Sequence, residues 1–135
     1  MFKALRTAHI LGRGLLSEST RVSRLNYRVG LSDCDFNRHL TNSRYPVYLD
    51  LGRWDVMVRS GALSLCVRQR LTPVVVELSL KFKRELVFNT PFTLDTRLLD
   101  VDRRVITFEQ VFLVEEEIYC QAEVRSLILH GGRVV

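Results

Sequence analysis

Cysteine is scarce in this sequence, and its placement excludes two classes of small protein. Only Cys34, Cys66 and Cys120 occur among 135 residues. They are odd in number and far apart, and no Cys-x-x-Cys pair is present. Disulfide frameworks and structural zinc sites depend on cysteines in pairs or at close spacing. The cysteine pattern therefore argues against both and predicts a protein of a reducing, cytoplasmic compartment.

Other motifs that carry chemistry are missing as well. The sequence contains no glycine-rich phosphate loop and no Gly-x-Ser-x-Gly nucleophile elbow. The three histidines, His9, His39 and His130, are too dispersed to indicate a metal site. No internal repeat, low-complexity tract or interdomain linker interrupts the chain. We therefore expect one domain with no metal ion and no redox or nucleotide cofactor.

The charge balance favours anionic partners without identifying one. The 20 lysines and arginines exceed the 15 acidic residues, which gives a formal net charge of +5. A basic protein attracts phosphorylated ligands, nucleic acids and acidic membrane surfaces. The arginines are scattered along the chain and form no stripe. This distribution favours a well-solvated surface, and we predict no nucleic-acid partner.

Residues 1–20 are predicted to form an amphipathic extension that precedes the domain at 21–135. Basic residues interrupt the apolar positions too often for a signal-peptide core or a transmembrane span. A helical wheel places four apolar residues on one face: Ala4, Ala8, Leu11 and Leu15. This face is small and rich in alanine, which favours packing against the protein's own domain or a partner subunit. The alternative is contact with a membrane surface through residues 1–16.

One strand and one long helix follow. Apolar and polar residues alternate strictly from Leu25 to Leu31, so Arg21 to Leu31 is predicted to be a strand. A helix is predicted from about Ser43 to Ser60, with Pro46 in its first turn. Asn42 or Ser43 can cap its start, and Gly61 stands where a helix C-terminus favours glycine.

The predicted helix is apolar on two nearly opposite sides. One stripe consists of Tyr45, Leu49, Gly52 and Val56, and the other of Val47, Leu51, Trp54 and Val58. A helix with a single apolar stripe lies on a surface, whereas one that is apolar on most sides is enclosed. We therefore expect a sheet curled around this helix. Asp50 and Arg53, three residues apart, are expected to form an ion pair, and the alternative is that Asp50 is a second catalytic carboxylate.

Four further strands supply that sheet: Val74 to Val87, Phe92 to Leu99, Val105 to Val114 and Ile118 to Leu129. Asn89-Thr90-Pro91 is a turn signal. The connections between these strands are short. Short connections join antiparallel neighbours, because parallel strands need a long crossover. The pattern thus predicts an α+β domain with an antiparallel sheet.

The segment between the first strand and the helix concentrates reactive groups. Residues 33–45 contain Asp33, Asp35, His39 and Asn42 next to a predicted helix N-terminus. Loops held by rigid elements commonly carry functional groups, and helix N-terminal N–H groups can polarise a carbonyl or bind an anion. A structural interpretation is equally available from the residues alone. Asp35 can bond backbone N–H groups in a turn, and Asn42 can serve only as a cap.

This organisation resembles the hot-dog fold, a curved antiparallel sheet wrapped around one long central helix. The stretch from Asp35 to Tyr45 resembles the Asp-x-x-x-His-x-x-Asn-x-Arg-Tyr signature of acyl-CoA thioesterases related to 4-hydroxybenzoyl-CoA thioesterase. Asp50-Leu51-Gly52-Arg53 and Leu80 to Leu86 also resemble that group, most closely its small thioesterase-like subfamily. The likeness extends over about residues 21–129. Thr41 and Pro46 depart from the residues common in the family.

The resemblance implies a role for individual residues. Asp35 matches the catalytic aspartate, which acts as a base or as a nucleophile. Backbone N–H groups near Asn42 and Ser43 match the site that polarises the thioester carbonyl. His39 and Asn42 are expected to complete the catalytic loop, chiefly by holding its shape.

Substrate contacts are implied in the same way. Tyr45 is expected in the wall of an acyl pocket or in the core, as are Tyr48 and Trp54. Lys81, Lys83 and Arg84 are candidates for contact with the phosphates of coenzyme A, although a basic outer strand face is usually only solvated.

The function that follows is hydrolysis of an acyl-CoA or acyl-carrier thioester, with coenzyme A present only as part of the substrate. Proteins with this resemblance work as dimers or dimers of dimers, so a homo-oligomer is expected. The alternative is a catalytically silent protein of the same fold that binds acyl thioesters without turning them over.

Overall fold

The structure is a computed structural model that describes residues 22–131 and the backbone of residues 133 and 134. The amphipathic extension predicted for residues 1–20 lies outside these residues, so its packing and its membrane contact stay predictions. Among the helices that are described, none is long and apolar enough to cross a lipid bilayer.

One antiparallel sheet forms the framework of the domain. Its strands are β1 (Val22–Arg28), β2 (Leu71–Phe82), β3 (Pro91–Asp102), β4 (Val105–Val114), β5 (Glu117–His130) and β6 (Arg133–Val134). Strands β1 to β5 are arranged in the order β1-β3-β4-β5-β2, and β6 pairs with the end of β5. The alternation of apolar and polar residues buries every second side chain along β3, β4 and β5. The sheet and the long helix confirm the predicted hot-dog fold.

Helix α1 (Tyr45–Arg59) lies on β1, β3 and β4. Its inner stripe is buried as predicted and consists of Tyr45, Leu49, Gly52 and Val56. The outer stripe consists of Val47, Leu51, Trp54 and Val58, whose side chains are 44–61% exposed. The expectation of an enclosed helix was therefore wrong for a single chain, because a single sheet covers only one side of α1.

A buried polar network joins the middle of α1 to the sheet. Gln110 on β4 donates through Nε2 to the Leu49 carbonyl (2.8 Å) and to Thr96 Oγ1 (2.9 Å). Its Oε1 accepts a hydrogen bond of 2.8 Å from Arg53 Nη1. Arg53 also pairs with Asp50, which confirms the predicted ion pair. Burial lowers the pKa of Arg53, and the bond to Asp50 opposes that shift.

The connection from β2 to β3 corrects the predicted strand order. We expected β2 and β3 to be neighbours, but β2 pairs with β5, and β3 lies between β1 and β4. Residues 83–90, here called the crossing segment, span three strand spacings, about 14 Å. Eight extended residues reach about 26 Å, so a short connection does not require adjacent strands. Strand β2 ends at Phe82 and not at the predicted Val87, because residues 83–90 leave the edge of the sheet to reach β3.

Both ends of α1 differ in part from the prediction. A 3-10 turn (Asn42–Arg44) precedes the helix, and neither element has a side-chain cap. The prediction that Asn42 or Ser43 caps α1 was therefore wrong. Gly61 has φ +79°, a left-handed conformation that confirms its predicted place after the helix. A second helix, α2 (Ala62–Gln69), follows it directly and was not predicted.

Candidate active site

The loop that carries Asp35 is a tight hairpin. We call residues 34–40 the Asp35 loop. Cys34 and Leu40 form an antiparallel bridge at its base. Inside it, the Asp35 N–H donates to the His39 carbonyl, and the Arg38 N–H donates to the Asp35 carbonyl, each at 3.0 Å. Arg38 adopts φ +60° at the turn. These bonds fix the backbone on both sides of the Asp35 side chain.

One of the two oxygens of the Asp35 carboxylate accepts hydrogen bonds within the loop. Its Oδ1 accepts the N–H groups of Asn37 (2.9 Å) and His39 (3.2 Å). This is the turn geometry that the structural interpretation anticipates. Oδ2 accepts no hydrogen bond from the described part of the chain, and the side chain is exposed. One oxygen of Asp35 therefore holds the loop while the other faces solvent.

The crossing segment holds the other side of the Asp35 loop. The Leu40 N–H donates to the Leu86 carbonyl (2.7 Å), and the Phe88 N–H donates to the Arg38 carbonyl (2.7 Å). His39 Nδ1 lies 2.5 Å from Glu85 Oε2. Glu85 was not among the predicted site residues. The available signal was its place in the stretch Leu80 to Leu86, which resembles the thioesterases.

The turn that leads into α1 supplies backbone donors. Thr41 is committed, because its N–H donates to the Asp33 carbonyl (2.9 Å). The N–H groups of Asn42 and Ser43 open the 3-10 turn, and the first N–H groups of a helix have no partner within it. Such donors, together with the partial positive charge of a helix N-terminus, favour a negatively charged oxygen.

Four of the predicted residues line one cavity of about 390 Å³. These are Asp35, His39, Asn42 and Tyr45, and the cavity is completed by Leu40, Thr41, Phe82 and Glu85. The end of β2 and the crossing segment thus contribute Phe82 and Glu85, which were not among the predicted site residues. The cavity brings a carboxylate, an imidazole and a helix N-terminus to a single surface.

Tyr45 forms a rigid wall of this cavity. Its ring packs edge-on against Phe82 (4.9 Å between centroids) and Phe112 (5.0 Å). Burial raises the pKa of Tyr45 to about 12, so its hydroxyl stays protonated near neutral pH. Tyr45 therefore belongs to the core and also lines this cavity, and its contact with an acyl group stays a prediction. Tyr48 lies outside the cavity and packs against Tyr27 and Phe92.

The remaining predicted residues do not line the cavity. Ser43 follows Asn42 but is not part of its wall. Lys81 lines a separate depression on the outer face of the sheet. Lys83 is exposed, and Arg84 pairs with Glu117 (3.1 Å). Lys83 and Arg84 belong to the crossing segment, which also carries Glu85, but neither lines the cavity.

A second cavity of about 180 Å³ lies beside the outer stripe of α1. Most of its lining is apolar: Trp54, Met57, Pro73, Val75, Ile106 and Phe108, with Asp50, Arg53 and Ser126 as the polar members. Trp54 lines this second cavity and not the one that contains Asp35, so its place in the wall of an acyl pocket stays a prediction. Among the described residues, no group of three or more potential metal ligands is present.

The sequence of the chain is similar to those of known proteins. A profile of the thioesterase-like superfamily matches residues 29–133. Protein THEM6 of Danio rerio is 30% identical over 107 residues, which cover 78% of this chain and 53% of that protein. The long-chain acyl-CoA thioesterase FadM of Escherichia coli is 25% identical over 83 residues, which cover 62% of this chain and 63% of FadM. The chain thus spans about half to two thirds of the length of these relatives.

Structural comparison agrees on the fold. The crystal structure of YbaW, a probable thioesterase from Escherichia coli, superposes with a TM-score of 0.78 at 19% identity, covering 83% of this chain and 87% of YbaW. The superfamily profile includes the Asp35 loop, helix α1 and strands β2 to β5. We conclude that the chain belongs to the thioesterase-like superfamily.

Proposed function

We propose that this chain hydrolyses acyl thioesters, converting an acyl-CoA and water into a free acid and coenzyme A. One observation carries the proposal: the Asp35 carboxylate and the N-terminal turn of α1 line the same cavity. Thioester hydrolysis needs those two functions, a base or nucleophile and a group that stabilises the carbonyl oxygen. Membership of the thioesterase-like superfamily and the acyl-CoA thioesterase activity of FadM support it.

The proposed reaction assigns one step to each group. The thioester carbonyl oxygen accepts hydrogen bonds from the N–H groups of Asn42 and Ser43, which stabilise the negative charge that develops on it. Oδ2 of Asp35 takes a proton from water, and the hydroxide attacks the carbonyl carbon. The C–S bond then breaks, and the thiolate leaves and takes up a proton. In the nucleophilic variant Oδ2 attacks directly, and water hydrolyses the resulting anhydride.

The other residues hold or extend this arrangement. His39 bonds Asp35 through its backbone and Glu85 through its ring, so we assign it to the shape of the loop. Tyr45 and Phe82 flank the thioester. Lys83 and Arg84, which belong to the same crossing segment as Glu85, are proposed to contact the phosphates of coenzyme A, because cations attract phosphates. Lys81 fits this role less well, because it lines the outer depression.

The alternative function is acyl-thioester binding without turnover. It is favoured by the two hydrogen bonds that Asp35 Oδ1 accepts within its own loop. A purely structural Asp35 explains those bonds, and the cavity then serves only to hold the ligand.

A thiol-release assay separates the two functions. The purified chain is incubated with a panel of acyl-CoA esters of different lengths, including aromatic ones, and with acyl-carrier protein esters. We expect release of free thiol from at least one coenzyme A ester. Turnover of none of them, together with calorimetric binding of a non-hydrolysable acyl-CoA thioether, contradicts the enzyme and establishes the binding protein.

We also infer that two copies associate through the outer stripe of α1 and the free edge of β2. The outer stripe is exposed, and β2 is an edge strand whose Val74, Val75, Val76, Leu78 and Phe82 are also exposed. Contiguous apolar surface and an unpaired strand edge are both unfavourable in water and are removed by pairing. A twofold axis beside β2 would present the same surface of each copy to the other.

Replacing Leu51 with aspartate tests this interface. Leu51 lies in the outer stripe, and burying its carboxylate against a second helix is strongly unfavourable. We expect the molar mass measured by light scattering to fall to that of one chain. The emission of Trp54, the single tryptophan, should shift to longer wavelength.

The matched control is Val67→Asp. Val67 is 72% exposed on α2, outside the outer stripe, and its replacement should leave the mass unchanged. A Leu51→Asp variant with the wild-type mass contradicts the interface.

A further inference from the structure

Asp33, two residues before Asp35, is bound by side chains from the start of α1. Tyr48 Oη donates a hydrogen bond of 2.7 Å to Asp33 Oδ2. Arg44 Nε lies 3.4 Å from Asp33 Oδ1. The two oxygens of this carboxylate are therefore held by two groups that belong to α1 and to the turn before it. Asp33 takes no direct part in the cavity, since its side chain does not line it.

The Tyr48 ring is itself fixed by aromatic neighbours. It packs edge-on against Tyr27, with centroids 4.9 Å apart, and against Phe92 at 5.3 Å. Burial, with the bond to Asp33, raises the pKa of Tyr48 to about 12. Its hydroxyl consequently remains a hydrogen-bond donor throughout the neutral pH range. The Tyr48 ring is thus held by its aromatic neighbours, and its hydroxyl donates a hydrogen bond to Asp33.

The backbone of Asp33 closes the Asp35 loop. Its carbonyl accepts the Thr41 N–H at 2.9 Å, next to the bridge between Cys34 and Leu40. The Thr41 carbonyl in turn accepts the Arg44 N–H at 2.9 Å. The bond between Asp33 and Thr41 thus joins the residue that precedes the loop to the residue that follows it.

We propose that Tyr48, acting through Asp33, is a positioning residue that fixes the Asp35 loop against the N-terminal turn of α1. The inference rests on the proposed function, in which the Asp35 carboxylate and the N–H groups of Asn42 and Ser43 act on the same thioester. Asp35 lies near the start of the loop, and Asn42 and Ser43 follow its end, so the separation of these groups depends on how the loop is closed. A misplacement of about 1 Å between reacting groups lowers a rate about 100-fold.

The test compares two tyrosine-to-phenylalanine variants of the full chain. Tyr48→Phe keeps the ring and removes only the hydroxyl that bonds Asp33. Tyr27→Phe is the matched control, because Tyr27 belongs to the same aromatic cluster and donates no bond to Asp33. For Tyr48→Phe we expect kcat to fall by about 10- to 100-fold with KM within about twofold. Tyr27→Phe should leave both constants within about twofold of wild type.

Hydrogen exchange supplies a readout that does not require turnover. The amides of Asp35, Arg38 and Thr41 are bonded within or beside the loop. In Tyr48→Phe their exchange should accelerate about tenfold, while amides of β4 and β5 exchange at the wild-type rate. If no thioester is hydrolysed by the wild type, the proposed function fails, and the exchange rates still decide whether Tyr48 fixes the loop.

Asp33→Asn provides the second variant. It keeps an oxygen acceptor for Tyr48 and removes the charge that attracts Arg44. Combined with Tyr48→Phe, it should lower kcat by less than the product of the two single effects, because both act through one contact. Wild-type exchange in the loop of Tyr48→Phe overturns the proposal, and so does acceleration spread evenly over the sheet.

Discussion

Replacing Asp35 with asparagine is expected to lower kcat for acyl-CoA hydrolysis about 1,000-fold, within the range of about 10²–10⁴ typical of a general base. Asparagine retains a side-chain oxygen for the N–H groups of Asn37 and His39, so the loop should keep its bonds. It loses the negative charge and the capacity to take a proton at Oδ2. The measurement is the steady-state rate of thiol release, with thermal unfolding to establish that the fold is unchanged.

A matched control is Asp100→Asn, which removes an exposed carboxylate from the far end of β3. It should hydrolyse the same ester at the wild-type rate. An Asp35→Asn variant with undiminished kcat would remove Asp35 from the chemistry and leave it as a turn residue. Rapid quenching of a single turnover, followed by mass spectrometry, then separates the two roles of an active Asp35. A nucleophile carries the acyl group as a mixed anhydride before water releases it, whereas a base forms no covalent adduct.

The largest effect on stability is expected from Gly52→Ala, although alanine is favoured over glycine in helices by about 1 kcal/mol. A Cβ at Gly52 would overlap Thr96 Oγ1 and lie 2.9 Å from Gln110 Nε2 and 3.0 Å from Leu94 Cδ2. These neighbours are fully buried. Overpacking costs about 1–3 kcal/mol, and each displaced buried hydrogen bond costs a further ~1–3 kcal/mol. We expect a net loss of about 2–4 kcal/mol in the free energy of unfolding, measured with urea.

Gly30→Ala is the control for that substitution. Gly30 has φ −87° and ψ 152°, and a Cβ there meets no atom within 4 Å. Its replacement should leave stability unchanged or raise it by up to about 1 kcal/mol, through the unfolded chain. Adding Thr96→Ala to Gly52→Ala should recover part of the loss, because it removes the nearest obstacle. Equal stability of Gly52→Ala and wild type would contradict the close packing of α1 on β3 and β4.

Local patterns in the sequence were sufficient for the type of α1 and of strands β1 to β5, but they did not indicate α2 or β6. Alternation identified the strands, and the stripe that contains Leu49 and Val56 identified the buried side of α1. Which strands pair with each other was harder to predict from the sequence. The length of a connection limits which strands can be neighbours, but several strand orders satisfy that limit. The connection after Phe82 is long enough to span three strand spacings, and its backbone bonds to the Asp35 loop stabilise that path.

The site followed the same division. Asp35, His39, Asn42 and Tyr45 are close in sequence, so a motif could bring them to attention together. Glu85 is 46 residues from His39, and no local pattern indicates that the two side chains meet. Capping was predicted wrongly for a physical reason. Thr41 bonds the Asp33 carbonyl, and the chain enters α1 through a 3-10 turn that leaves Asn42 without a capping geometry.

The crossing segment connects the edge strand β2 to the Asp35 loop, so the positions of the two depend on each other. It begins where β2 ends, and its residues bond Arg38, His39 and Leu40 before the chain enters β3. A molecule that orders the edge of β2 therefore also restricts the loop, and a ligand that orders the loop restricts the edge. Thermodynamic linkage requires these two effects to be equal. In the proposed dimer, a ligand in the cavity should raise the affinity of two copies for each other, and association of the copies along β2 should raise the affinity for the ligand by the same factor.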